Sequence, residues 1–124
     1  MPRIQITLPG HFSFSTQVPI RITDLNYGNH VGNDTILSLV HEARVQYLQS
    51  MGFSELDAGG TGLIMNAAAI QYKAEVYYGE VLKISVAASE LSASGFNLYY
   101  LLESSAGKQV AIAQTGMVCY NYEL

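Results

Sequence analysis

At 124 residues the chain is long enough for one domain with a real core, and 49% of it is apolar while only 13% is charged. A net charge of −4, with six Lys and Arg scattered singly, argues against a nucleic-acid partner, because phosphate backbones demand a concentrated basic face. So little charge implies either a surface partly covered in an oligomer or a sheet buried throughout.

The opening, "MPRIQITLPGHF", lacks the apolar centre of a signal peptide, and no segment reaches the length of a membrane span. One cysteine, Cys119, excludes an internal disulfide and fits a reducing compartment, so a soluble cytoplasmic protein is expected. "STQVPIRIT" reads as a first strand, with Ile20 and Ile22 on one face and Arg21 on the other. A polar stretch follows, "DLNYGNHVGND" from Asp24 to Asp34. It is too elaborate for a connector, since it carries two acids, three asparagines, a tyrosine and a histidine.

"NDTILSLVHEARVQYLQSMG" then has helical spacing, with Ile36, Leu37, Val40, Ala43, Val45 or Tyr47, Leu48 and Met51 recurring every third or fourth position. Asn33 or Asp34 can accept the free N–H groups at its start, and Gly52 suits a left-handed end. The helix so bounded has about 18 residues and a length of about 27 Å. A short helical turn is expected in "SELDAGG", and "GGTG" breaks the pattern. Four strand-like runs complete the chain: "LIMNAAAIQYKAEVYY", "EVLKISVAASEL", "GFNLYYLLESS" and "KQVAIAQTGMVCYNY", with "SAGK" as a hairpin turn before the last. The chain is read as one domain, residues 1–124, of the α+β class: an antiparallel five-stranded sheet curled around one long central helix.

That order and the loop at Asp24 resemble the hotdog-fold acyl-CoA thioesterases, the 4-hydroxybenzoyl-CoA thioesterase-like group. The resemblance covers Val18 to Tyr120. It rests on "HVGN" (His30 to Asn33), which stands where the family has an "HVNN"-like tetrapeptide, on "EAR" (Glu42, Ala43, Arg44), and on the Gly-acidic turn Gly79-Glu80. The loop is also similar to that of plant acyl-carrier-protein thioesterases, where His30 and Glu75 match functional residues. In one respect the chain departs from both. Asn26 stands where these families carry an acid, and an amide can neither accept a proton near neutral pH nor form a mixed anhydride.

Thioester hydrolysis needs a carboxylate to activate water and donors aimed at the oxyanion. Glu75, expected mid-strand and partly buried in "QYKAEVYY", is the first choice of carboxylate. The resemblance implies that His30 polarises the carbonyl, together with backbone N–H groups at the helix start. Asn26 would position water or substrate, and Asp24 is a structural acid that could replace the missing base. Tyr27, Gly28, Val31, Asn33 and Glu42 complete the expected site as substrate contacts, and the resemblance implies that Glu42 could face the cleft of a neighbouring subunit. Phosphates of coenzyme A would have to find Lys73, Lys83 or Arg44.

No metal-ligand spacing and no nucleotide fingerprint is present, so no metal and no cofactor is expected, coenzyme A arriving only as part of the substrate. The implied activity is hydrolysis of an acyl-CoA or acyl-carrier-protein thioester by a homodimer or homotetramer. The alternative is a non-hydrolytic acyl-thioester-binding protein in which Asn26 has removed the usual acid; a hotdog dehydratase ranks behind both.

Overall fold

The structure is a computed structural model and describes residues 6–26, 28, 31–57, 62–89 and 95–120, the side chains of Asn33 and Tyr120 excepted. Its elements run β1 (Phe14–Pro19), a 3₁₀ turn (Ile22–Asp24), α1 (Asn33–Ser50), β2 (Gly62–Tyr72), β3 (Val81–Ala88), β4 (Gly95–Glu103) and β5 (Gln109–Tyr120). All five strands join one antiparallel sheet in the order β1-β3-β4-β5-β2. β2 thus forms the edge farthest from β1, although it follows the helix directly in sequence.

Alternation decides what the sheet buries. Val18, Leu82, Ile84, Val86, Leu98, Tyr100, Leu102, Ala111, Ala113 and Met117 turn inward and form the core with α1. The helix packs against β1 and β3 with Ile36, Leu39, Val40, Ala43, Tyr47 and Leu48, which recur three and four apart. Leu37 and Met51, expected on that face, are 39% and 45% exposed, while Leu39 is buried in their place.

Several boundaries differ from the sequence expectation. β1 stops at Pro19 and the chain turns into the 3₁₀ element, so Ile22 is exposed while Ile20 stays in the core. Helix α1 is capped by Gly32, one residue before Asn33; having no side chain, Gly32 leaves the first-turn N–H groups without a cap from its own position. The other end is as expected: Gly52 has a left-handed φ of 79° and donates to Gln49 O at 3.0 Å. Ser54 and Asp57 close a turn through their backbones where a helical turn was expected. β2 ends at Tyr72, because Lys73 N and Ala74 N both reach Val110 O, at 2.9 and 3.2 Å, and the chain leaves the ladder. The "SAGK" hairpin closes as expected, with Ser104 N on Lys108 O at 2.8 Å and Gly107 at a φ of 83°.

One polar network crosses this core. Arg44, only 5% exposed, donates from Nη1 to Tyr100 Oη at 3.3 Å, and Tyr100 Oη shares a hydrogen bond with Thr115 Oγ1 at 2.9 Å. Arg44 Nε stands 3.4 Å from Glu55 Oε2 without hydrogen-bond geometry, and His41 Nε2 lies 2.6 Å from Glu55 Oε1. Burial pushes the Tyr100 phenol above its ordinary value, against the lowering effect of its bonds to Thr115 and Arg44. Arg44 is therefore an internal brace between helix, sheet and the loop after the helix. It does not present its charge to a phosphate.

Candidate functional site

The loop before α1 is organised by its backbone. A bridge between Leu25 and Val31 closes it, and Gly28 N donates to Asn26 Oδ1 at 2.9 Å, an Asx turn of the kind asparagine favours. Val31 N donates to Val76 O at 2.8 Å. That bond draws the segment after β2 across the start of the helix. The Asp34 carboxylate folds back over Gly32, where a Cβ would meet its Oδ1 at 2.8 Å and Asn26 Nδ2 at 3.5 Å. Asn26 and Asp34 therefore flank the first turn of α1, whose unpaired N–H groups attract negative charge.

Between this turn and the end of β2 lies a cleft of about 330 Å³, lined by Val31, Ile36, Tyr72, Lys73, Ala74, Glu75 and Val76. Its inner wall is apolar, and Glu75 brings a carboxylate to it. Glu75 is not mid-strand, as expected, but on the irregular segment between β2 and β3, and it is exposed where partial burial was expected. Tyr77 Oη donates to Glu75 Oε2, and this bond to an anion raises the Tyr77 phenol above its ordinary value. Tyr77 N in turn donates to Glu80 Oε2 at 2.7 Å, while Glu80 N reaches Tyr77 O at 3.3 Å across a turn in which Gly79 adopts a φ of 87°. The Gly-acidic pair thus fixes the backbone of the tyrosine that holds Glu75. The Tyr72 phenol is raised as well, first by burial and then by the nearby Asp34 charge.

The other candidate acids stand elsewhere. Asp24 is 5% exposed and accepts Arg21 N at 2.8 Å, with the guanidinium at 3.4 and 3.5 Å, closing the 3₁₀ turn. Glu42 is exposed and accepts from Gln46 Nε2 at 2.9 Å. Both line a second cleft, about 350 Å³, with Gln17, Arg21, Ser38 and Gln46. The structure therefore gathers Glu75 and Val31 in one cleft and Asp24 and Glu42 in another. Gly28 is exposed in the Asx turn. Tyr27, His30 and the side chain of Asn33 fall outside the described residues. Among the expected phosphate contacts Lys83 lines a third cleft, with Glu103 and Ser104, and only Lys73 borders Glu75.

Sequence reasoning left Tyr72 and Ile36 out of the site, and it read Tyr77 as an ordinary strand residue able to line an acyl tunnel or the subunit interface, not as the partner of Glu75. The i, i+2 spacing of Glu75 and Tyr77 was the one signal available for the last. Among the described residues no group of three or more His, Cys, Asp or Glu is placed to hold a metal ion, and no helix is long and apolar enough to cross a membrane. Cys119 lies half-buried in β5 against the core.

Comparison with known proteins agrees with this architecture. Residues 20–124 match the family model of the thioesterase-like superfamily. The 1,4-dihydroxy-2-naphthoyl-CoA hydrolase of Thermosynechococcus vestitus is 29% identical over 106 residues, 83% of this chain and 73% of that protein. A 1,4-dihydroxy-2-naphthoyl-CoA thioesterase from Synechocystis superposes with a TM-score of 0.81 at 24% identity, covering 88% of this chain and 82% of the other. A corresponding enzyme from Staphylococcus aureus gives a TM-score of 0.77 at 19% identity over 85% of this chain and 72% of the other. At such identities the two structures speak for the hotdog fold alone.

Proposed function

The chain belongs to the thioesterase-like superfamily, and from that premise we propose that it hydrolyses an acyl-CoA thioester, RCO–S–CoA plus water giving RCOOH and HS–CoA. The observation that carries this reading is the cleft in which the Glu75 carboxylate lies across from the first turn of α1. The carboxylate can activate water and the N–H groups of a helix start can hold an oxyanion, the two roles that hydrolysis of a thioester uses.

Glu75 takes a proton from water as the oxygen attacks the carbonyl carbon. First-turn N–H groups, aided by His30 from the loop, carry the developing oxyanion. Collapse of the tetrahedral intermediate breaks the C–S bond, and the proton held by Glu75 passes to the leaving thiolate. Asn26 supplies an amide beside Gly32 that can orient water or carbonyl but accepts no proton. The walls formed by Val31, Ile36, Val76 and Tyr72 suit a flat apolar acyl group, and the naphthoyl substrate of the Thermosynechococcus relative makes an aromatic thioester the first to try.

The state in which the protein acts is a dimer joined through β2. This edge strand is 11 residues long and carries exposed Ile64, Met65, Ala67 and Ala68, a pattern that invites strand pairing. A reducing, cytoplasmic setting suits its single half-buried cysteine. The test is thiol release from a panel of aromatic and aliphatic acyl-CoAs: turnover of at least one supports the reading. Tight binding of acyl-CoAs without release of thiol would replace the hydrolase with a binding protein.

A further inference from the structure

We propose that Tyr77 is the positioning residue for Glu75, held in place by the Gly79-Glu80 turn, so that one carboxylate oxygen is occupied and the other is left to act on water. The inference rests on the proposal that Glu75 is the base.

A glutamate on an irregular segment has three freely rotating bonds, and an exposed one ordinarily samples many rotamers. Catalysis asks for one of them, since a small misplacement of a reacting group costs orders of magnitude in rate. β2 has ended three residues before Glu75, and the flanking bonds of Ala74 N to Val110 O and Val31 N to Val76 O place its backbone but leave its side chain free to rotate. Restraint comes from the side chain of Tyr77, whose hydroxyl donates to Glu75 Oε2. That restraint is effective only if Tyr77 itself is held. Its backbone N–H is fixed by Glu80 Oε2 at 2.7 Å and its carbonyl by Glu80 N at 3.3 Å, in the turn that Gly79 makes possible with a φ of 87°. The chain of contacts runs Glu80 to Tyr77 to Glu75, and it ends in the cleft.

A merely structural tyrosine would not fit this pattern. Tyr77 is 49% exposed and outside the hydrophobic core, so its ring adds little to packing. The hydroxyl makes the contact that matters. Because the partner is an anion, the phenol is held in its protonated, donating form.

The experiment compares Tyr77→Phe, Glu75→Gln and the double variant in acyl-CoA thiol release, and follows the Tyr77 phenol by NMR titration of tyrosine labelled with ¹³C at the ring carbon. Tyr77→Phe should lower kcat by about tenfold or more with little change in KM. Combined with Glu75→Gln it should cost nothing further, as expected when one residue acts only through another. In Glu75→Gln the Tyr77 phenol should titrate at lower pH than in the native chain, a shift readable whether or not any substrate turns over. An unmoved phenol would overturn the contact itself. Loss of turnover in Glu75→Gln with native turnover in Tyr77→Phe would overturn the positioning role alone. Turnover that persists in Glu75→Gln would sink the assignment of the base, and the positioning role with it.

Discussion

Glu55 sits on the loop after the helix with its side chain 27% exposed, and it faces Arg44, whose side chain is 6% exposed. Replacing Glu55 by Gln removes the one carboxylate that faces the Arg44 guanidinium among the ion pairs of the described residues. At 3.4 Å the pair is worth gross about 4–5 kcal/mol for an effective dielectric of about 20, most of which offsets desolvation of the two groups. The net worth of the pair is small, but stranding one charge inside is not. The loss on Glu55→Gln should be about 3 kcal/mol, the lower end for a broken buried pair because Glu55 is partly wetted. For a chain of this size that lowers Tm by about 10–15 °C. Arg44→Met removes the charge and keeps most of the packing volume, so adding it to Glu55→Gln should recover at least about 1.5 kcal/mol relative to the sum of the two single losses. Urea denaturation followed by circular dichroism on the four proteins gives the cycle directly. Strict additivity, or a loss below about 1 kcal/mol for Glu55→Gln, would refute the internal brace.

The folded Tyr100 phenol titrates above its ordinary value of 10.0, so its contribution is fully present below pH 10.0 and is lost as pH rises through the folded value. Stability should therefore fall on the alkaline side in the native chain, and less steeply in Tyr100→Phe, by denaturant titration across that range. Leu82, wholly buried near the start of β3, should cost about 2–5 kcal/mol as Leu82→Ala in the same assay. Asp24→Ala should cost about 1 kcal/mol, through loss of the acceptor for Arg21 N in the 3₁₀ turn. If β2 joins two protomers, Ala68→Asp should shift a dimer toward monomer in sedimentation equilibrium, whereas a native chain that sediments as a monomer contradicts that assembly.

Much of the fold was legible because single elements carry it. The helix announced itself by apolar residues at Ile36, Val40, Ala43 and Leu48 and by Gly52, and the last hairpin by "SAGK". Less was legible where two distant segments decide. "IQYKAEVYY" alternates like a strand throughout, and nothing local says that Lys73 N and Ala74 N will turn to Val110 O and end β2. The position of Glu75 follows from that turn and from the Val31–Val76 bond, both tertiary. Arg44 reads in sequence as a candidate phosphate contact, because its partners Glu55 and Tyr100 lie 11 and 56 residues away. The cap moved from Asn33 to Gly32 because the chain reaches the helix through an extended residue at that position, with a ψ of 162°. The loop motif drew attention to the right neighbourhood, yet the cleft itself is built from a segment some 45 residues further on, beginning at Tyr72.

The most direct test of the central claim is a single-turnover measurement of thiol release by Glu75→Gln on the acyl-CoA that the native chain hydrolyses best, with affinity for that acyl-CoA measured in parallel. Loss of the general base should slow the chemical step by about 10²-fold or more while the acyl-CoA still binds. A Glu75→Gln protein that binds and hydrolyses at the native rate would contradict the account and move the base to another carboxylate, with Asp34, whose charge acts on the Tyr72 phenol, the first to examine.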